Sequence, residues 1–376
     1  MIGWRDCKLG DVVNLKRGYD LPQSQRAPGP VPIISSSGIT DHHAIAKVQG
    51  PGVVTGRYGT LGEVFYVDRD FWPLNTTLYV QDFKGNDPRF ISYLLRQLDF
   101  GARNAAGAVP GINRNHLHTI EIRLPPLSAQ RYIASILSAY DELITNNQQR
   151  ARVLEDIGNL FYREWFVHHR IPGHRGRTTR RPRGKFGDLA TIQRDGINPF
   201  EFPSEEFEHF SIPAFDAGGR PFIERGETIL SNKYCLDGST VLLSKLNPRI
   251  PRVWLPFPGD ERRAIASTEF LVLKPAPGIT REFLFCKCRS SEFVDEFSGL
   301  AIGTSTSHQR VKTEGLLVMP SSVPDLEAIK RFTQLVAPML KMSSALRASI
   351  QNLGRTRDLL LPRLLSGRVS SAQEIA

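Results

Sequence analysis

The residues with most to offer chemically sit in short turns, and they are donors and hydroxyls rather than a catalytic set. Gly56-Arg57-Tyr58-Gly59-Thr60 puts a guanidinium, a phenol ring and a hydroxyl on one turn after an apolar strand. Ser35 and Ser36, in the run Ser35-Ser36-Ser37-Gly38, add hydroxyls beside loose backbone. Asn113 and Arg114 follow a glycine-rich stretch. Further on, Ser244, Lys245, Asn247 and Arg249 share one turn, and Thr304, Ser305, Ser307, His308, Gln309, Arg310 and Lys312 share another. Guanidinium forks and amides suit base edges in a nucleic-acid groove, while Lys, hydroxyls and backbone N–H groups suit phosphates. Each side chain also has a plainer reading, as a solvated residue or one that ties down its own turn.

Searching for a reaction centre gives nothing comparable. There is no Gly-x-x-x-x-Gly-Lys-Ser/Thr phosphate loop and no Gly-x-Gly-x-x-Gly after a strand. Asn198-Pro199-Phe200 has the opening of an adenine-methyltransferase motif, but Glu201 follows and no cofactor loop precedes it. Asp325, Glu327 and Lys330 lack the spacing of a nuclease cluster and fit a helix start. Cys286 and Cys288 fall on an expected helix, where residues two apart face different sides. With Cys7 and Cys235 they build neither CxxC pairs nor a disulfide framework, so reduced thiols and a cytoplasmic location are expected. His168, His169 and His174 have no matching thiol pair, and His116 and His118 could share a strand face. The expectation is no metal site, no cofactor of the chain's own and no catalysis.

The net charge is +10, and seven basic residues with no acid fall between 167 and 187. Such a balance attracts polyanions, nucleic acid first and anionic membrane second. No apolar run approaches the ~20 residues that span a bilayer, so no membrane is expected. Pro172, Pro182, Gly173, Gly176, Gly184 and Gly187 make the basic stretch a linker, either a solvated hinge or one lying near phosphates.

These turns need scaffolds, and the chain contains two similar ones. Gly10-Asp11 matches Gly187-Asp188, Arg89-Phe90-Ile91 resembles Arg281-Glu282-Phe283, Asn113-Arg114 matches Gln309-Arg310, Leu124-Pro125 matches Met319-Pro320, and Gly158 matches Gly354. The offset grows from 177 to 196 and then holds, which implies loop insertions in the second repeat followed by an element of fixed length. Strands are predicted at Glu63–Val67, Leu78–Val80 and Ile120–Leu124, with counterparts at Thr240–Leu243, Phe270–Leu273 and Leu316–Met319. Helices are predicted after Pro88 and after Thr280.

A long helix closes each repeat. Ser128 is the expected N-cap of the first, and Ser322 with Asp325 resemble a capping pair for the second. Leu137, Tyr140, Ile144, Ala151, Leu154, Phe161 and Trp165, with Asn147 and Gly158 in the gaps, keep three-four spacing throughout. Val336, Leu340, Ile350 and Leu361 hold corresponding places. A helix from Ser128 to Phe166 would be about 58 Å long. Either the two helices pack antiparallel on each other, or each lies on its own lobe. Asn147 either fixes register in the seam or faces solvent.

The run from Gly107 to Leu127, Gly-Ala-Val-Pro-Gly-Ile-Asn-Arg-Asn-His-Leu-His-Thr-Ile-Glu-Ile-Arg-Leu-Pro-Pro-Leu, resembles the end of a target recognition domain in specificity subunits of Type I restriction-modification enzymes. Gln130-Arg131, Ile133-Ala134, Ile136-Leu137 and Trp165-Phe166 resemble that family's first conserved helix. Leu243 to Ile250 and Gly303 to Lys312 are similar to its early and late recognition-domain segments. The resemblance covers about residues 4–368 and implies an α+β fold: two similar β-rich target recognition domains separated by an antiparallel pair of long coiled-coil helices, with pseudo-two-fold symmetry. The expected limits are 1–126 and 185–321 for the recognition domains, 127–166 and 322–370 for the helices, and 167–184 for the basic linker.

The implied function is sequence-specific binding of a bipartite double-stranded DNA target. The helices would dock two methyltransferase (modification) subunits, which use S-adenosylmethionine, and a motor-nuclease (restriction) subunit would cut unmodified DNA. The chain itself would be non-catalytic. Two other classes stay open at this point: a self-contained nucleic-acid-modifying enzyme, and a coiled-coil scaffold or RNA-binding protein.

Overall fold

A valine-rich strand between two glycines sets the first half of the protein. In the computed structural model, Gly52–Gly56 is buried along its whole length, as a central strand covered on both faces must be. The structure describes residues 3–98, 111–173, 183–302 and 309–367. The chain divides into two units, Met1–Ile144 with Asn352–Ala376, and Thr145–Gln351.

In the first unit the order of the central sheet is Asn14–Arg17, Thr77–Asp82, Gly52–Gly56, Val64–Val67, all antiparallel. Alternate residues go to opposite faces. Leu15, Val53, Leu78 and Val80 pack on Phe90, Ile91, Ile133, Leu137, Leu361 and Leu364. Val54, Val67 and Tyr79 face Ile34 and Phe71, which belong to or adjoin a three-stranded sheet of Gly38–His43, Val31–Ser35 and Trp72–Pro73. The helix Pro88–Arg96 begins with proline at its first turn and Asp87 as cap, accepting from Phe90 N–H at 2.8 Å.

The second unit repeats this plan. Its central sheet runs Ala190–Gln193, Phe270–Pro275, Val241–Ser244, Val253–Trp254. The helix Arg281–Arg289 follows the Thr280 cap. A five-stranded sheet, Gly196–Ile197, Lys233–Leu236, Arg263–Ser267, Glu206–Phe210 and Phe222–Arg225, stands where the first unit has three strands. Trp165 and Phe166 end in the aromatic core, with Phe166 5.0 Å from Phe283 and 5.3 Å from Phe332.

The Gly-Asp repeat now has a physical reason. Asp11 accepts from Lys8 N–H at 3.0 Å and Asp188 from Lys185 N–H at 2.8 Å, so each carboxylate closes a single helical turn. Just before each turn a ribbon forms. Arg5–Lys8 pairs with Glu121–Leu124, and Arg183–Lys185 pairs with Pro320–Ser322.

That register corrects the second half of the repeat. Lys8 pairs with Glu121 and Lys185 with Pro320, so the offset reaches 199 rather than 196. Leu316–Met319 is accordingly no strand. The segment Thr313–Val318 is a short helix, matching Arg114–His118, and Leu316 is buried as Leu117 is. Met319-Pro320 imitates Leu124-Pro125 but sits four residues before the true counterpart, Val323-Pro324. Gly354 is not the partner of Gly158 either. A Cβ on Gly158 would stand 3.1 Å from Val336, whereas Gly354 has open space around it.

The long helices are Leu127–Tyr162 and Leu326–Leu365. Both start 199 apart, and Ser128 is therefore inside the first turn rather than its cap. Asp325 caps the second, accepting from Glu327 N–H at 3.5 Å, while Ser322 lies in the ribbon. A π-helical turn, Arg163–Val167, extends the first. Gly367, at φ +68, ends the second in the left-handed conformation that glycine adopts freely. A Cβ there would come within 3.0 Å of the Trp4 indole. Half of the basic linker, 174–182, lies outside the described residues.

Inside the second unit the helices run antiparallel, with Asn147 opposite Ser349 and Glu155 opposite Ser343 and Arg347. Asn147 is buried and donates to Ser349 at 3.4 Å. In the first unit Asp141 pairs with Arg357 and accepts from the Tyr93 hydroxyl at 2.7 Å. Glu155 is the costlier residue to place. It meets Arg347 at 2.8 Å, Arg289 at 3.1 Å and the Ser343 hydroxyl at 2.8 Å. Burial alone would raise its pKa, but the two guanidiniums and the hydrogen bonds hold it below the usual range.

Removing the carboxylate strands two cations. Glu155→Ala is expected to destabilise the second unit by about 2–3 kcal/mol, less than the ~3–5 of a fully buried pair because both arginines keep some solvent contact. A lowered carboxyl pKa adds stability above the ordinary Glu range and loses it as pH falls through the folded value. Thermal melts should therefore show the variant's deficit at neutral pH and its narrowing in acid.

Candidate nucleic-acid interface

At the end of the strand Gly52–Gly56 the chain turns sharply. A Cβ on Gly56 would stand 2.0 Å from Thr60 O, so only glycine lets the turn fold back. The residue at its tip is held by backbone on both sides. Arg57 N–H donates to Thr76 O at 2.8 Å, and Arg57 O accepts from Ile112 N–H at 3.0 Å. Tyr58 bridges to Gly111, and the Arg57 guanidinium lies 4.7 Å from the Tyr58 ring centre. Tyr58 and Thr60 are exposed and Arg57 is half-buried.

The second unit builds the same bracket. Lys245 N–H donates to Glu269 O at 3.0 Å, and Lys245 O accepts from Val311 N–H at 3.0 Å. Leu246 bridges to Arg310. Arg57 thus corresponds to Lys245, Tyr58 to Leu246, Gly111 to Arg310, and Asn113 to Lys312. The sequence match of Asn113-Arg114 with Gln309-Arg310 slipped by the same three residues as before.

Several candidates hold their own turns. The Ser35 and Ser37 hydroxyls are 2.9 Å apart, and Ser35 also donates to Gly38 O at 3.3 Å. Ser244 is buried, accepts from Leu246 N–H at 3.1 Å and donates to Leu246 O at 3.0 Å. Asn113 caps the helix Arg114–His118 by accepting from Asn115 N–H at 2.9 Å. Asn247 takes φ +49, a left-handed conformation that asparagine tolerates. Its N–H donates to Gln309 O at 2.9 Å. Its side-chain oxygen is buried without a partner.

Other candidates are presented outward. Ser36 is half-buried and lies beside Gly56 and Gly59. Arg114, Arg249 and Lys312 are exposed. Arg310 pairs with Glu269 at 2.9 Å, which offsets part of its charge. Ser305, Ser307 and His308, with Thr304, lie outside the described residues. The structure therefore brings together Ser36, Arg57, Tyr58, Thr60 and Asn113 in one unit, and Lys245, Asn247, Arg249, Gln309, Arg310 and Lys312 in the other. Arrays of this kind hydrogen-bond base edges and neutralise phosphates.

The remaining titratable candidates are structural. His116 and His118 sit on a helix rather than a strand. His118 Nε2 accepts from Leu15 N–H at 3.0 Å. Burial, then Arg114 and Lys84, hold the ring below the usual histidine pKa, so it is neutral near pH 7. Cys286 and Cys288 are both buried, and burial pushes the Cys288 thiol up to about 12. Among the described residues no group of His, Cys, Asp and Glu has the geometry of a metal site.

Sequence reading missed the partners that make the bracket, since Thr76, Glu269, Ile112 and Val311 act through backbone atoms that no side-chain pattern reports. It also missed Lys16 and Lys47, whose ammonium groups flank the Tyr19 ring at 5.7 and 5.1 Å. They are far apart in sequence and carry no motif.

Residues 1–156 match the model of the Type I restriction modification DNA specificity domain. The specificity subunit of the Type I restriction enzyme MjaVIII from Methanocaldococcus jannaschii is 21% identical, over 97% of this chain and 93% of that protein. The crystal structure of a Type I restriction-modification S subunit from M. genitalium shares the fold, with a TM-score of 0.64 at 15% identity over 96% of both chains. Residues 1–156 thus match the family's DNA specificity domain, the second half repeats the architecture of the first, and the chain as a whole is similar to Type I restriction-modification specificity subunits.

Proposed function

We propose that the chain reads a bipartite double-stranded DNA target, one half-site per β-rich region, and directs partner subunits to it. The regions are 1–126 and 185–321, with the helical stretches 127–166 and 322–370 as the docking surface for two modification subunits. S-adenosylmethionine and the methyl transfer belong to those subunits, and cleavage belongs to a motor-nuclease subunit. The chain works in the cytoplasm, without catalysis, cofactor or membrane.

One observation carries this reading. The two units hold a turn residue with the same pair of backbone hydrogen bonds, yet place different side chains on it. Arg57 and Tyr58 in one become Lys245 and Leu246 in the other. A conserved bracket with exchanged side chains is what two readers of unlike half-sites require. The forked Arg57 suits a guanine edge, and the apolar Leu246 suits a thymine methyl. A single chain in place of a dimer frees the two halves from being the same sequence.

Selection of bound duplexes from a random pool by the assembled complex tests this directly. Arg57→Ala should relax one half of the motif, at a cost of ~1–3 kcal/mol per base lost, and leave the other half intact. Lys245→Ala should do the reverse. A variant that blurs both halves, or selection of single strands, counts against the reading. Replacing residues 1–125 by those of another family member should likewise change one half-site only.

Incubating the purified chain with duplex DNA and S-adenosylmethionine should give no methylation, and adding modification subunits should give it. Transfer by the chain alone would assign the chemistry here instead.

A further inference from the structure

The two central sheets correspond row by row. Lys16 pairs with Tyr79 and Tyr79 with Val54 in the first unit, while Gln193 pairs with Val272 and Val272 with Leu242 in the second. The second unit folds with glutamine and valine where the first has lysine and tyrosine, so the scaffold does not need the latter pair. What surrounds them is specific to the first unit. The Tyr79 hydroxyl, on a buried ring, lies 2.9 Å from the Tyr19 hydroxyl. Tyr19 is fixed further by its N–H donating to Pro73 O at 2.8 Å and by the Trp72 ring edge-on at 6.5 Å. Lys47 is held by its N–H to Phe71 O at 3.1 Å and reaches over both rings, 5.1 Å from Tyr19 and 5.7 Å from Trp72.

Two ammonium groups from separate segments therefore lie close to one aromatic ring. Their distances to the ring centre keep them within about 11 Å of each other. Neither lysine forms an ion pair among the described residues, and Asp20 nearby is engaged by Arg17 at 3.5 Å and by Asn75. The ring attracts each cation but does nothing for their mutual repulsion. An anion between them would relieve it, and ammonium groups grip phosphate as point charges with no demand on base identity.

We propose that Lys16 and Lys47, seated on Tyr19 and Trp72, grip a phosphodiester of the DNA backbone, a contact that the second unit lacks. This rests on the DNA-binding reading above and adds an asymmetry to it: the first half-site is held by charge more than the second. The contact sets affinity and salt response, and leaves base choice to the turns.

The test is binding of the full chain to a short random-sequence duplex, followed by fluorescence anisotropy between about 50 and 200 mM NaCl. Lys16→Gln/Lys47→Gln, which carries the second unit's residue at position 16, should lower the slope of log K against log salt by about 1 and weaken binding at every salt. Lys274→Gln/Lys341→Gln removes the same charge elsewhere and should leave the slope nearly unchanged. Lys16→Arg/Lys47→Arg should restore it. An unchanged slope in the first variant, or an equal drop in both glutamine variants, overturns the grip while DNA binding stands. Failure of the unsubstituted chain to bind duplex overturns the DNA reading and the grip together.

Discussion

Each repeat is closed by a ribbon of very few residues, and the architecture hangs on it. Arg5–Lys8 against Glu121–Leu124, and Arg183–Lys185 against Pro320–Ser322, bring the start of a β-rich region to its end just before a long helix begins. Closing so long a loop carries an entropic cost that grows only slowly with length. Insertions inside the loop therefore add little to the cost of the closure. The second repeat exploits this: its offset from the first widens from 177 at the Gly-Asp turn to 199 at the ribbon, and the extra residues help to make a larger second sheet. After the ribbon nothing shifts, because a helix seam tolerates no slip without misplacing every apolar side chain.

Within each closed region the bracketed turn is fixed by backbone and furnished by side chain. Backbone hydrogen bonds to Thr76 O and from Ile112 N–H, or to Glu269 O and from Val311 N–H, place the tip residue whatever its identity. This separates two demands that usually conflict, rigid position and free choice of residue. Ser35, Ser244 and Asn113 belong to the first demand, since their hydroxyl and amide groups are spent within their own loops. Arg57, Tyr58, Lys245 and Lys312 belong to the second.

Much of this could be read from sequence, where local chemistry decided the outcome. Pro88 and Thr280 announced their helices because a helix start is marked by residues at the start itself. The seam from Leu137 to Trp165 announced itself by period, and Asn147 is buried in it rather than facing solvent. The Leu316–Met319 error came from taking Met319-Pro320 for Leu124-Pro125, a two-residue likeness that outweighed the buried Leu117 and Leu316. The Tyr19 cluster was illegible for a different reason. Strands and loops distant in sequence bring Lys16 and Lys47 to one ring, and no periodicity encodes such a meeting.

The helix that ends at Gly367 finishes against the Trp4 indole, so the last described turn of the chain rests on its first strand region. The first unit is thereby sewn from two segments far apart in sequence, and its core contains Leu361 and Leu364 beside Leu9 and Val12. During synthesis the strands and helices of residues 9–137 emerge with part of their hydrophobic surface uncovered, and that surface stays uncovered until the helix Leu326–Leu365 leaves the ribosome. The second unit, continuous in sequence, has no such wait. Order of birth and order of completion are thus reversed: the half made first is finished last.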